Sequence, residues 1–143
     1  MPRPRLLCTF QVADLYLGLD IGSVQEVLRG QAVTRLPLAA EAVRGIINLR
    51  GRIIPAIDLR RCLDLAAAPE DAAPATLVVR APEAVSLLVD EVEDVVEIAE
   101  GVLEPIPETM RPQTREVLRG VVQRPDRLLL ELDLGRILRA AYA

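Results

Sequence analysis

The chain has 143 residues, 51% of them hydrophobic, with a net charge of −4 and 2% aromatics; that length holds one domain or two small lobes, and the composition is too apolar for disorder. It contains no His, Lys or Trp, and all 17 basic residues are Arg, which removes Ser-His and Cys-His nucleophile pairs, a Walker-loop lysine and a Schiff base. Two cysteines, Cys8 and Cys62, in a chain without His supply neither a disulfide framework nor an ordinary zinc site, and read as buried reduced thiols.

In chain order, Met1-Pro2-Arg3-Pro4-Arg5 has no apolar signal core and leads into a strand over 6–12, so a cytoplasmic location is expected. No apolar run approaches the ~20 residues that a membrane helix requires, so no direct insertion is expected. Short β-branched segments bounded by turn residues predict further strands over 15–21, 31–36, 44–49 and 52–57. A short helix is expected over Gly22–Leu28 and another over Asp58–Leu65, the latter capped by Asp58. The Ala- and Pro-rich stretch 66–74 reads as a linker. A second set of strands follows over 75–80, 84–91, 94–98, 117–123 and 127–132, then a helix over Asp133–Ala141 capped by Asp133. Two charge runs stand out: Arg44, Arg50, Arg52, Arg60 and Arg61, then Asp90, Glu91, Glu93, Asp94, Glu97, Glu100 and Glu104. They are either solvated faces or complementary surfaces that orient partners. Scarce aromatics and a negative net charge argue against nucleic acid as a partner.

The halves repeat. An offset of 75 carries Arg44, Gly45, Arg52, Asp58, Leu59, Arg61 and Leu63 onto Arg119, Gly120, Arg127, Asp133, Leu134, Arg136 and Leu138 without a gap. Upstream, Leu19-Asp20 resembles Val89-Asp90, and Leu36-Pro37 resembles Ile106-Pro107. Each half reads as five short strands ending in a hairpin and a helix, the pattern of a tandem of small β lobes. Paired carboxylates over a pocket, the remaining enzymatic option for such a composition, are not legible.

Gly45-Ile46-Ile47-Asn48-Leu49-Arg50-Gly51-Arg52-Ile53-Ile54-Pro55-Ala56-Ile57-Asp58-Leu59-Arg60 is the most informative segment. It reads as two apolar strands joined by a turn at Arg50-Gly51, where Gly51 can take positive φ. Arg50 at the tip is either a solvated turn residue or a guanidinium offered to a carboxylate or carbonyl.

This segment closely resembles the signature of the CheW family of chemotaxis coupling proteins. Phe10-Gln11-Val12, the block Leu17-Gly18-Leu19-Asp20-Ile21-Gly22-Ser23-Val24-Gln25-Glu26-Val27-Leu28, then Leu87-Leu88-Val89-Asp90-Glu91-Val92 and Gly120-Val121-Val122 are similar to other family landmarks, in family order. The resemblance covers about residues 6–140. Leu17 departs from it, standing where the family has an aromatic, and Arg115-Glu116-Val117-Leu118 lacks a Tyr usual there.

The resemblance implies a mostly β fold of two SH3-like five-stranded β-barrel lobes with short helices in one CheW-like domain, 1–143. Lobe one is expected at about 13–70, the linker at 66–74 and lobe two at about 75–143, with strand 6–12 able to close the second barrel. It also implies no catalytic activity and no cofactor or metal. The implied partners are chemoreceptor cytoplasmic tip helices, the regulatory domain of a CheA-type histidine kinase, and other CheW-like domains, with recruitment to receptor arrays. The alternative is an accessory protein that binds receptors without a kinase. The positions matching the family's partner-binding motifs are Val24, Glu26, Val27, Gly45, Arg50, Gly51, Val92 and Val95. An apolar groove between the lobes, lined by Val24, Val27, Val92 and Val95, is the expected seat of a receptor helix.

Overall fold

Alternate side chains of a strand point to opposite faces, and here both faces of the central strands are apolar. Strand β1 (Arg5–Val12) sends Cys8, Phe10 and Val12 into one large core and Leu7 into a smaller cluster on its other side. The structure is a computed structural model that describes residues 3–37, 42–69, 72 and 74–142; residues 70, 71 and 73 of the expected linker lie outside the described residues.

After β1 come β2 (Leu15–Asp20), a 3-10 turn (Ile21–Ser23), β3 (Val24–Arg29), β4 (Thr34–Arg35), β5 (Val43–Leu49), β6 (Arg52–Asp58) and α1 (Leu59–Cys62). The second half contributes β7 (Ala75–Ala81), β8 (Glu83–Val89), β9 (Glu91–Ile98), α2 (Pro112–Glu116), β10 (Leu118–Gln123), β11 (Leu128–Leu132) and α3 (Leu134–Ala141). They form two sheets, β10-β11-β2-β1-β9 and β3-β7-β8-β6-β5-β4. The fold is thus mostly β, in two SH3-like lobes. Among the described residues no pairing joins the outer strands of either sheet, and the second sheet has six strands because β4 adds a two-residue edge.

The sheets do not divide where the sequence suggests. Strands β7 and β8, expected in the second lobe, pair with β3 and β6 of the first. Strand β1, expected to be able to close the second lobe, pairs with β9, and β2 pairs with β11. A boundary at 66–74 is therefore corrected: hydrophobic pattern marks strands, but it does not say which long-range partner each strand takes.

The repeated hairpin is reproduced in register. Gly45 lies opposite Ala56 and Ile47 opposite Ile54, while Gly120 lies opposite Glu131 and Val122 opposite Leu129. Both hairpins carry a bulge at the same point, between Val43 and Gly45 and between Leu118 and Gly120. Asp58 N–H donates to the Ala42 carbonyl at 2.8 Å, and Asp133 N–H to the Val117 carbonyl at 2.8 Å. Each aspartate then caps a helix, Asp58 accepting from Arg60 N and Asp133 from Arg136 N. The two glycines serve a close approach: a Cβ on Gly45 would stand 2.0 Å from the Thr34 carbonyl oxygen, and one on Gly120 2.8 Å from that of Glu104.

Three local expectations change. The helix expected over Gly22–Leu28 is the 3-10 turn followed by strand β3, because β-branched Val24 and Val27 favour extended backbone and pairing with β7 supplies the ladder. The strand expected over 31–36 shrinks to Thr34–Arg35. Helix α2, unforeseen, opens on Pro112 at a position where its missing N–H costs nothing; Thr114 Oγ1 seats it by donating to the Leu63 carbonyl at 3.0 Å.

Candidate partner-binding surface

The β5–β6 tip is a two-residue turn in which Arg50 has φ 50° and Gly51 φ 85°, the paired positive values that match the twist of a hairpin. Asn48 Oδ1 accepts from Gly51 N–H at 2.9 Å and fixes the turn. Arg50 Nη2 donates to Glu26 Oε2 on strand β3. Strand β3 begins the sheet order and the hairpin lies near its other end, so the ion pair spans the curl of the sheet. The Arg50 side chain is 67% exposed and that of Glu26 24%. The bond to Glu26 raises the Arg50 pKa further above its already high ordinary value.

Strand β3 sorts the neighbouring site residues by face. Val24, Glu26 and Leu28 are half-buried, whereas Gln25, Val27 and Arg29 are exposed. Val27 is 39% exposed. On β9, the outer strand of the other sheet, Val95 is 50% exposed, while Val92 leans on the same large core as Val24. The four valines are therefore not one lining. Two brace the core and two face solvent, and none of the three cavities described, about 340, 630 and 360 Å³, is lined by any of them. Gly45 is buried beneath β4 and is a packing position, not a surface contact.

Several polar pairs join residues that the sequence names only in its charge runs or repeat, or not at all. Asp90 accepts from Ala13 N–H at 2.7 Å and from Arg60 Nε and Nη2 at 3.2 and 2.6 Å, tying the β1–β2 turn of one lobe to α1 of the other. Arg5 donates twice to the buried Glu131, at 2.7 and 2.5 Å. Arg127 binds Glu93 at 2.6 Å and stacks 3.6 Å over the Tyr16 ring. The alignment of Asp20 with Asp90 was the available signal for the first of these. Both cysteines are buried and free. Burial pushes the Cys62 thiol up to about 11, with nearby Asp58 adding to the effect, so the thiol form is favoured at neutral pH.

Two SH3-like β lobes that share a core, expose apolar side chains on outer strands and brace a hairpin-tip arginine define a binding scaffold. A profile of the CheW-like domain matches residues 6–142, and the chain belongs to that family. Its fold is that of the scaffolding protein TtCheW from Thermoanaerobacter tengcongensis, with a TM-score of 0.80, 30% identity and coverage of 92% of this chain and 90% of that one. It is 30% identical over 131 residues to the probable chemotaxis protein CheW of Rhizobium etli, across 91% of this chain and 84% of that protein. It is 32% identical over 132 residues to the chemotaxis protein CheW of Rhizobium meliloti, across 90% and 85%. The chain is accordingly a chemotaxis scaffold of the CheW type, and among the described residues no helix is long and apolar enough to cross a membrane.

Proposed function

We propose that this chain is a non-catalytic cytoplasmic adaptor that couples methyl-accepting chemoreceptors to the regulatory domain of a CheA-type histidine kinase. The observation that carries the reading is strand β3, which exposes Val27 on one face and on the other holds Glu26, paired to Arg50 of the hairpin tip: an outer strand that offers an apolar contact and a braced charge at its edge suits a receptor helix, since burial supplies affinity and rim charge sets register. Val27 and Val95 are the contacting valines in this reading, and Val24 and Val92 hold the strands that present them. Gly51 keeps the approach to Arg50 open.

The test is binding of a receptor signalling-tip fragment to Val27→Asp and Val95→Asp. Both positions face solvent, so both variants should fold with a near-native melting transition. Each is expected to weaken receptor binding about tenfold or more, as truncation of a central contact does. Native affinity in both variants would move the receptor site elsewhere.

A further inference from the structure

Away from the Arg50 surface, a cavity of about 630 Å³ opens between β4, β5, α1 and the segment leading into β7. That size lies within the ~300–1,000 Å³ range of small-molecule sites. Its apolar wall includes Val33, Leu88 and Pro74, and three arginines also line it: Arg35, Arg44 and Arg60.

The three differ in what their donors already hold. Arg60 gives Nε and Nη2 to Asp90 at 3.2 and 2.6 Å and Nη1 to the Ala66 carbonyl at 3.0 Å, so it is a fixed wall. Arg44 forms a loose ion pair with Asp58 at 3.9 Å, too long for a hydrogen bond, so its guanidinium donors are not given to that carboxylate. Arg35, exposed on β4, has no hydrogen bond or ion pair from its guanidinium among the described residues. Asp90, the carboxylate in the described lining, is taken up by Arg60 and by Ala13 N–H.

Backbone geometry brings Arg35 and the loosely paired Arg44 together. Arg35 lies opposite Gly45, and Leu36 N–H donates to the Arg44 carbonyl at 3.4 Å. This seating depends on Gly45, because any Cβ there would strike the β4 backbone.

We infer that this cavity binds a small organic anion, a carboxylate or phosphate ester on an apolar body. Arg35 and Arg44 hold the anionic group, since a guanidinium fork matches both oxyanions. Val33, Leu88 and Pro74 cover the body. This inference is independent of the receptor-binding reading.

The experiment is a ¹⁵N-resolved titration of the full chain with octanoate, octyl phosphate and the neutral isostere octanamide. Saturable shifts confined to Val33, Arg35, Arg44 and Leu88 are expected with either anion, and the tighter of the two identifies the headgroup. Octanamide is expected to bind about tenfold more weakly, as loss of a charge-assisted pair requires. Arg35→Gln, at an exposed position, should keep its melting transition and lose about fivefold or more in affinity. Non-saturating or scattered shifts, octanamide binding as tightly as octanoate, or unchanged affinity in Arg35→Gln would each overturn the assignment.

Discussion

Two arginines on this molecule form ion pairs with opposite consequences, and solvent decides the difference. Arg50 pairs with Glu26 in the open, where screening and side-chain entropy leave an ion pair little net effect on folding. Arg50→Ala should therefore leave thermal unfolding almost unmoved while receptor-fragment affinity falls about fivefold or more, with Lys only a partial substitute for the planar fork. Arg5 instead neutralises Glu131, whose side chain is 1% exposed. Arg5→Ala leaves that carboxylate to Arg119 at 3.6 Å, and should cost about 2–4 kcal/mol in urea denaturation. R5A/E131Q should be more stable than Arg5→Ala alone, because no unpaired buried charge remains. Chain order explains why one pair was foreseeable. Arg50 and Glu26 both lie in recognisable motifs. The residue aligned with Glu131 in the first half is apolar Ala56, and the cation covering Glu131 comes from 126 residues away.

At the scale of elements, the hairpin–helix unit was the most legible part, because glycine, bulge and capping aspartate all recur at one spacing. Strand β3 was misread as a helix since Val24–Leu28 has no strict alternation of polarity; only its neighbours β7 and Glu26's partner Arg50 settle which faces are buried. The close approach of β4 to β5 leads to a sharp expectation. Gly45→Ala should destabilise by about 3 kcal/mol or more, as overpacking against backbone cannot relax. Gly120→Ala should cost less, since two of its three nearest contacts are Leu103 side-chain atoms that can swing aside. Equal losses in calorimetry would show that the two seats are not organised as described. Asp90→Asn should cost about 1.5–3 kcal/mol, because it removes charge-assisted bonds to Arg60 and Ala13 that join the lobes.

For the whole molecule, exchange of strands between halves ties both lobes to one large core. Residues 1–69 and 74–143 made as separate fragments should each fail to fold, and the intact chain should unfold in one cooperative transition. The sheet that β7 and β8 join is not legible in the sequence, because their apolar faces fit either sheet. The shared core also holds Cys62, whose thiol is raised from an ordinary 9.0 to about 11. The folded state keeps its proton where the unfolded state loses it, so its contribution is full below about pH 9 and falls away as pH rises through about 11. Cys62→Ala should flatten the decline in stability over that interval.

The central claim is that one surface takes a receptor helix while another engages a kinase regulatory domain. Its most direct test is analytical size-exclusion chromatography of the full chain with a receptor signalling-tip fragment and a CheA regulatory domain, singly and together. Adaptor function predicts both binary complexes and a ternary complex, with the receptor component lost in Val95→Asp and the kinase component retained. Receptor binding without kinase binding would contradict coupling and make the chain a receptor-packing accessory; binding to neither would contradict the proposed function altogether.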